Sequence, residues 1–113
     1  MTETTAKLCV FSMGLSPKHK GFHYLSRAFE AAYAGMDVAG ACKSVEPGGD
    51  PQRADRCMRY AIQYAWYSGE GALHSLFPPY THPPTPVELI HALIWKVEEE
   101  RASQPLRRTK QSF

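Results

Sequence analysis

The sequence has no apolar run near the roughly 20 residues that a membrane-spanning helix needs. Its opening MTETTAK also lacks the basic-then-apolar order of a secretion signal. Cysteine is scarce and poorly placed for pairing. Cys9, Cys42 and Cys57 are odd in number and show no CxxC spacing, which argues against a disulfide scaffold and for a reducing compartment, the cytoplasm. Strong charge of either sign is missing too. With 13 Lys and Arg against 11 Asp and Glu the formal net charge is +2, so attraction to a polyanion must come from a local patch rather than from the whole molecule.

Catalytic signatures are equally sparse. Pro47-Gly48-Gly49 precedes a helix start but lacks the Lys-Ser/Thr of a phosphate-binding P-loop, and no Ser-His-acid order stands out. His19 and His23 lie four apart, a helical spacing that can hold a metal, yet no cysteine or acid is placed to complete the set. They are read as structural or surface groups. Cys57 falls among apolar positions, where a buried inert thiol is the expectation. No enzyme, cofactor or metal site is expected.

What the chain does contain is helical periodicity. Its 113 residues, 43% hydrophobic and 12% aromatic, suit one globular domain with a single core. A short apolar segment from Thr4 to Met13 closes at Gly14. Ser16-Pro17 offers a cap and a first-turn proline, and Phe22, Leu25, Phe29 and Ala32 then recur at helical spacing up to Gly35. Asp37 caps a short helix through Val45, and the prolyl-diglycine at 47–49 breaks it. Gly69 and Gly71 bracket the end of the next helix, and a brief turn through Leu73, Leu76 and Phe77 precedes the proline-rich PPYTHPPTP. Thr85-Pro86-Val87-Glu88 is a capping box with proline at the first helical position. Val87, Ile90, Leu93, Ile94 and Val97 line the final helix, and Trp66 and Trp95 are expected to anchor the core. The fold class is all-α: a compact bundle of about five helices over residues 1–102, followed by a flexible basic tail, 103–113.

The helix expected over 51–67 carries the most information. Asp50-Pro51 starts it, and at 100° per residue Ala54, Cys57, Met58, Ala61, Ile62 and Ala65 share one side. Arg53, Arg56, Arg59, Tyr60 and Gln63 share the other. Guanidinium, phenol and amide groups can meet phosphate oxygens or base edges, which a solvated Lys/Glu face is not arranged to do. The plain alternative is an arginine-rich surface helix.

Three blocks, MGLSPKHKGFHYLSRAFEAAY, RADRCMRYAIQYAWYSGEGALHSLF and PTPVELIHALIWKVEEE, together resemble the C-terminal effector domain of the stage-zero sporulation response regulator of endospore-forming Firmicutes. The resemblance runs from about Ala6 to Arg101. It rests on Gly14, Lys20-Gly21, Tyr24-Leu25, Arg56, Arg59, Ala61-Ile62, Ala65-Trp66, Gly69, Ser75-Leu76-Phe77 and Pro84-Thr85. It implies an all-α domain with a helix-turn-helix whose second helix enters the major groove of double-stranded DNA at an element containing TGTCGAA. It also implies dimers on tandem elements and a contact to RNA polymerase sigma factor through residues 67–77.

Carried over by position, the base contacts fall on Asp55, Arg56 and Arg59, with Arg on guanine and the carboxylate on cytosine. Arg53 falls at a phosphate contact. Tyr60, Gln63 (where the family has a carboxylate), Lys18 and Lys20 are expected to meet phosphate as well, the lysines with His19 at the start of the second helix, whose amides favour an anion. Two departures stand out. The family's phosphoacceptor receiver has no counterpart here, so aspartate phosphorylation has no visible seat. Between Gly40 and Arg53 about two turns of the positioning helix are missing, replaced by EPGGD. The expected function is therefore a DNA-binding transcriptional regulator with a degenerate helix-turn-helix. The alternative is a protein-interaction module that modulates a sporulation regulator or RNA polymerase.

Overall fold

In the computed structural model, residues 1–46, 48–68 and 71–111 are described, with side chains as far as Ala102. Six α-helices and no strand occur among them: α1 (Glu3–Phe11), α2 (Lys20–Tyr33), α3 (Val38–Lys43), α4 (Pro51–Ser68), α5 (Ala72–Leu76) and α6 (Pro86–Gln111). None of the described helices is long and apolar enough to cross a membrane. The all-α class expected from periodicity is what the chain adopts.

Local chemistry sets most boundaries. Thr2 caps α1 through its hydroxyl, which accepts from the Thr5 amide at 3.1 Å. Gly14 follows with φ 90°, a left-handed conformation that a side chain would resist. Asp37 accepts from the Gly40 amide at 3.1 Å to start α3, and Asp50 accepts from the Gln52 amide at 3.0 Å to start α4. The capping box before α6 closes in both directions. Thr85 N donates to Glu88 Oε1 at 2.8 Å, and Glu88 N donates to Thr85 Oγ1 at 3.2 Å.

One start differs. Ser16-Pro17 does not open α2, which begins at Lys20 with His19 in an extended conformation before it. Residues 16–19 instead close a turn, with the His19 amide donating to the Ser16 carbonyl and His23 Nε2 donating to the Pro17 carbonyl at 2.8 Å. Those carbonyls are thus taken by turn and side-chain partners, and Lys18 and His19 are held outside the helix.

α2 is the hub, packing on α1, α3, α4 and α6. Its Leu25, Ala28 and Phe29 are fully buried, meeting Ala6 and Val10 of α1, Met58, Ala61 and Ile62 of α4, and Leu89, Ile90 and Leu93 of α6 in one core. Removing a side chain the size of Phe29 from water contributes about 1.5–3 kcal/mol. Trp66 joins this core at 5% exposure and stacks on His74, ring centroids 3.7 Å apart, while His74 Nε2 donates to the Trp66 carbonyl.

Trp95 does not join it. It is 63% exposed, which corrects the expectation of a core anchor. Two residues beyond Leu93, it points about 200° away on an α-helix, opposite the stripe that Leu89, Ile90 and Leu93 bury. The backbone of α6 is helical on to Gln111, across most of the segment set apart from sequence as a tail. Pro47 and Gly69, two expected breaks, lie outside the described residues, as do the side chains of 103–111 and residues 112–113 altogether.

Candidate nucleic-acid interface

The outer face of α4 follows from its inner one. Burying Ala54, Met58, Ala61, Ile62, Ala65 and Trp66 leaves Gln52, Arg53, Arg56, Arg59, Tyr60, Gln63, Tyr64 and Tyr67 at the surface. Cys57, expected to be buried, is only half-buried, because it lines an open groove beside the crossing of α2.

The charged groups on this face are not equivalent. Arg59 Nε donates to Asp55 Oδ2 at 2.7 Å, one turn earlier on the same helix, with both side chains roughly half exposed. Such an exposed pair is worth a few tenths of a kcal/mol, so an incoming ligand can separate it at little cost. Arg53 Nη2 lies 3.9 Å from Glu46 Oε1, just before the break that precedes α4. Glu46 also accepts a 2.9 Å hydrogen bond from Tyr24, and that bond to the carboxylate raises the Tyr24 phenol above its ordinary pKa. Arg56 is different. Among the described residues no carboxylate lies within ion-pair distance of it, and it stands exposed between two grooves.

On one flank, Ala39, Cys42 and Lys43 of α3 face Pro51, Gln52, Asp55 and Arg56 of α4, with Val87 of α6 closing a groove of about 450 Å³. Its Cys42 thiol is pushed up to about 11, chiefly by burial and then by the Asp55 carboxylate. It is a neutral wall and not a nucleophile. On the other flank, Lys18, His19, Lys20 and Gly21 face Arg56, Cys57 and Tyr60 across a groove of about 380 Å³. The His19 ring meets Tyr60 and Tyr64 edge-on at 5.2 and 4.8 Å, and the Lys18 ammonium sits 5.9 Å from the Tyr64 ring centre.

The residues expected to contact DNA thus divide into three sets. Arg56, Tyr60, Lys18 and Lys20 are brought together on one groove. Asp55 and Arg59 are joined to each other. Arg53 lies by Glu46, and Gln63 is exposed farther along α4. His19, read from sequence as a structural or surface residue beside Lys18 and Lys20, is the wedge that connects the turn before α2 to α4. The signal for it was the Tyr60/Tyr64 spacing of four, which puts two rings in line on one flank. The segment linked by resemblance to sigma factor includes Tyr67, 75% exposed, and the buried Leu73 and Phe77. Its Gly69 and Glu70 lie outside the described residues. No protein-family model matches the chain, and no curated protein matches it.

Proposed function

We propose that this chain is a cytoplasmic, non-catalytic DNA-binding regulator of transcription, similar to the sporulation effector domain, that reads a short promoter element with α4. The observation that carries the reading is Arg56. It is exposed, has no ionic partner among the described residues, and sits in the first half of a helix whose opposite face is buried. An unpaired guanidinium on an exposed helix face can fork onto guanine O6 and N7 in the major groove without first breaking a bond inside the protein. The Asp55–Arg59 pair beside it supplies an acceptor for cytosine and a second donor once the pair opens. In this reading two copies occupy tandem elements, and the surface over 67–77 meets RNA polymerase sigma factor.

Titrating purified protein into labelled duplex carrying TGTCGAA, and into a scrambled duplex, at two salt concentrations tests the reading. Preference for the element that persists at moderate salt supports it. Equal affinity for both duplexes overturns sequence-specific reading.

A protein-interaction module is the second reading, favoured by two observations. α3 is only six residues long, and the far half of α4 exposes Tyr64 and Tyr67 in place of cations. Aromatic anchors of this kind are enriched where proteins meet. Absence of any duplex binding, together with co-purification of a sporulation regulator or a polymerase subunit from a host extract, would favour it over the first.

A further inference from the structure

The outward face of α6 is built around a tryptophan that the fold does not use. Trp95 is 63% exposed and makes no ring contact among the described residues. Glu98 and Glu99 follow it by three and four positions, which puts them on the same side of the helix. Both are exposed, and neither is in an ion pair among the described residues, whereas Glu100 is held by Lys96 at 2.7 Å. His91, one turn before Trp95, is exposed too. An indole beside two carboxylates suits a partner that presents an aromatic ring and a guanidinium one turn apart.

The chain carries that complement on α4. Arg56, Tyr60 and Tyr64 follow one another at a spacing of four, and the two rings are 58% and 41% exposed. Read backwards, α6 gives Glu99, Trp95 and His91 at the same spacing. With the helices antiparallel and about 6 Å per step on each, Arg56 reaches Glu98 and Glu99, Tyr60 packs on Trp95 and Tyr64 on His91. We propose that the α6 face of one copy of this chain docks in this register on the α4 face of a second copy. Arginine, tyrosine and tryptophan are the side chains that most often carry the energy of such contacts, and the charges of the two faces are opposite in sign.

This contact covers the face that base reading needs. It therefore differs from placement of two copies on tandem elements, which leaves both α4 helices free for the groove. Self-association holds the chain in a state that cannot read duplex, and duplex and the second copy compete for Arg56. That competition rests on the DNA reading; the contact between copies does not.

Sedimentation velocity on the full chain tests the contact. The wild type associates as its concentration rises, less so at high salt, and Trp95→Ala weakens association by about tenfold or more. Arg56→Glu prevents it, as does Glu98→Arg combined with Glu99→Arg, because like charges then face each other. These positions are all exposed, and circular dichroism verifies that each variant folds. Mixing the two charge-reversed proteins restores association. A wild type that stays monomeric at its highest soluble concentration, or charge-reversed proteins that stay apart on mixing, overturns the contact. Duplex carrying TGTCGAA, added to the associated wild type, dissolves it as duplex is bound. Duplex bound without loss of the associated species overturns the competition. A chain that binds no duplex, yet whose charge-reversed variants recover on mixing, keeps the contact and removes the DNA reading.

Discussion

Gly21 and Cys57 meet backbone to backbone. A β-carbon placed on Gly21 stands 2.1 Å from the Cys57 carbonyl oxygen and 2.9 Å from the Ala61 β-carbon. Both distances are far inside van der Waals contact, so α2 can cross α4 at this depth only because residue 21 has no side chain. The same crossing brings the Lys18–Lys20 turn alongside Arg56 and Tyr60.

Gly21→Ala accordingly destabilises the fold even though alanine is the better helix former by about 1 kcal/mol. Forcing the helices apart costs about 1–3 kcal/mol in a packed core. Urea unfolding of the variant measures the net loss. A midpoint equal to the wild type would show that the helices do not approach this closely.

Arg56→Ala lowers affinity for the promoter element by about 1–3 kcal/mol and relaxes preference at one base position. Arg59→Ala has a smaller effect on protein stability than on recognition, because the exposed pair it breaks with Asp55 is worth little. Competition binding against single-base variants of the element reads both effects. An Arg56→Ala protein that retains full discrimination would remove this residue from the reading role.

Acid weakens the start of α6. The backbone amide of Thr85 and then the Tyr80 hydroxyl hold the Glu88 carboxyl below its usual pKa. A carboxyl with a lower pKa in the folded chain stabilises fully above the unfolded value, near 4.3. That stabilisation is lost as pH falls from there through the folded value. The thermal midpoint should drop across this interval, and Glu88→Gln should flatten the drop. Thr85→Ala removes the reciprocal bond and costs about 0.5–2 kcal/mol at neutral pH.

Cys42 resists thiol reagents. With its pKa near 11, only about one molecule in a thousand carries the thiolate at pH 8, and the side chain is buried. Alkylation followed by mass spectrometry should label Cys42 in the native protein far more slowly than in denatured chain. Rapid native labelling would mean that the α3–α4 groove opens.

Much of this architecture could be read from residue spacing. The Thr85/Glu88 box, the Asp37 and Asp50 caps and the stop at Gly14 are contacts within one or two turns, and all four form as expected. The buried side of α4 also follows from its period. Trp95 was misplaced because composition outweighed position: an aromatic was expected inside, yet its angle on the helix puts it outside. The α2 start was misjudged because His23 takes the Pro17 carbonyl from the following turn, a side-chain competition that a Ser-Pro pair does not reveal.

The candidate site was legible only in parts. Periodicity placed Arg53, Arg56, Arg59, Tyr60 and Gln63 on one side of α4. It could not show that Arg59 holds Asp55 while Arg56 stays unpaired, since rotamers decide that. Nor could it show the meeting of Lys18 and Lys20 with Tyr60. These groups lie some 40 positions apart in sequence and come together only through the depth of the Gly21 crossing.

The opposite placement of the two tryptophans gives the protein a built-in optical readout. Trp66 is enclosed and in ring contact with His74, whereas Trp95 faces solvent. Light emitted by the first therefore changes when the core opens, while the second, in dilute protein, stays water-like throughout. With Trp95→Phe, one indole remains, and its emission follows the packing of α4 against α5 without any added label.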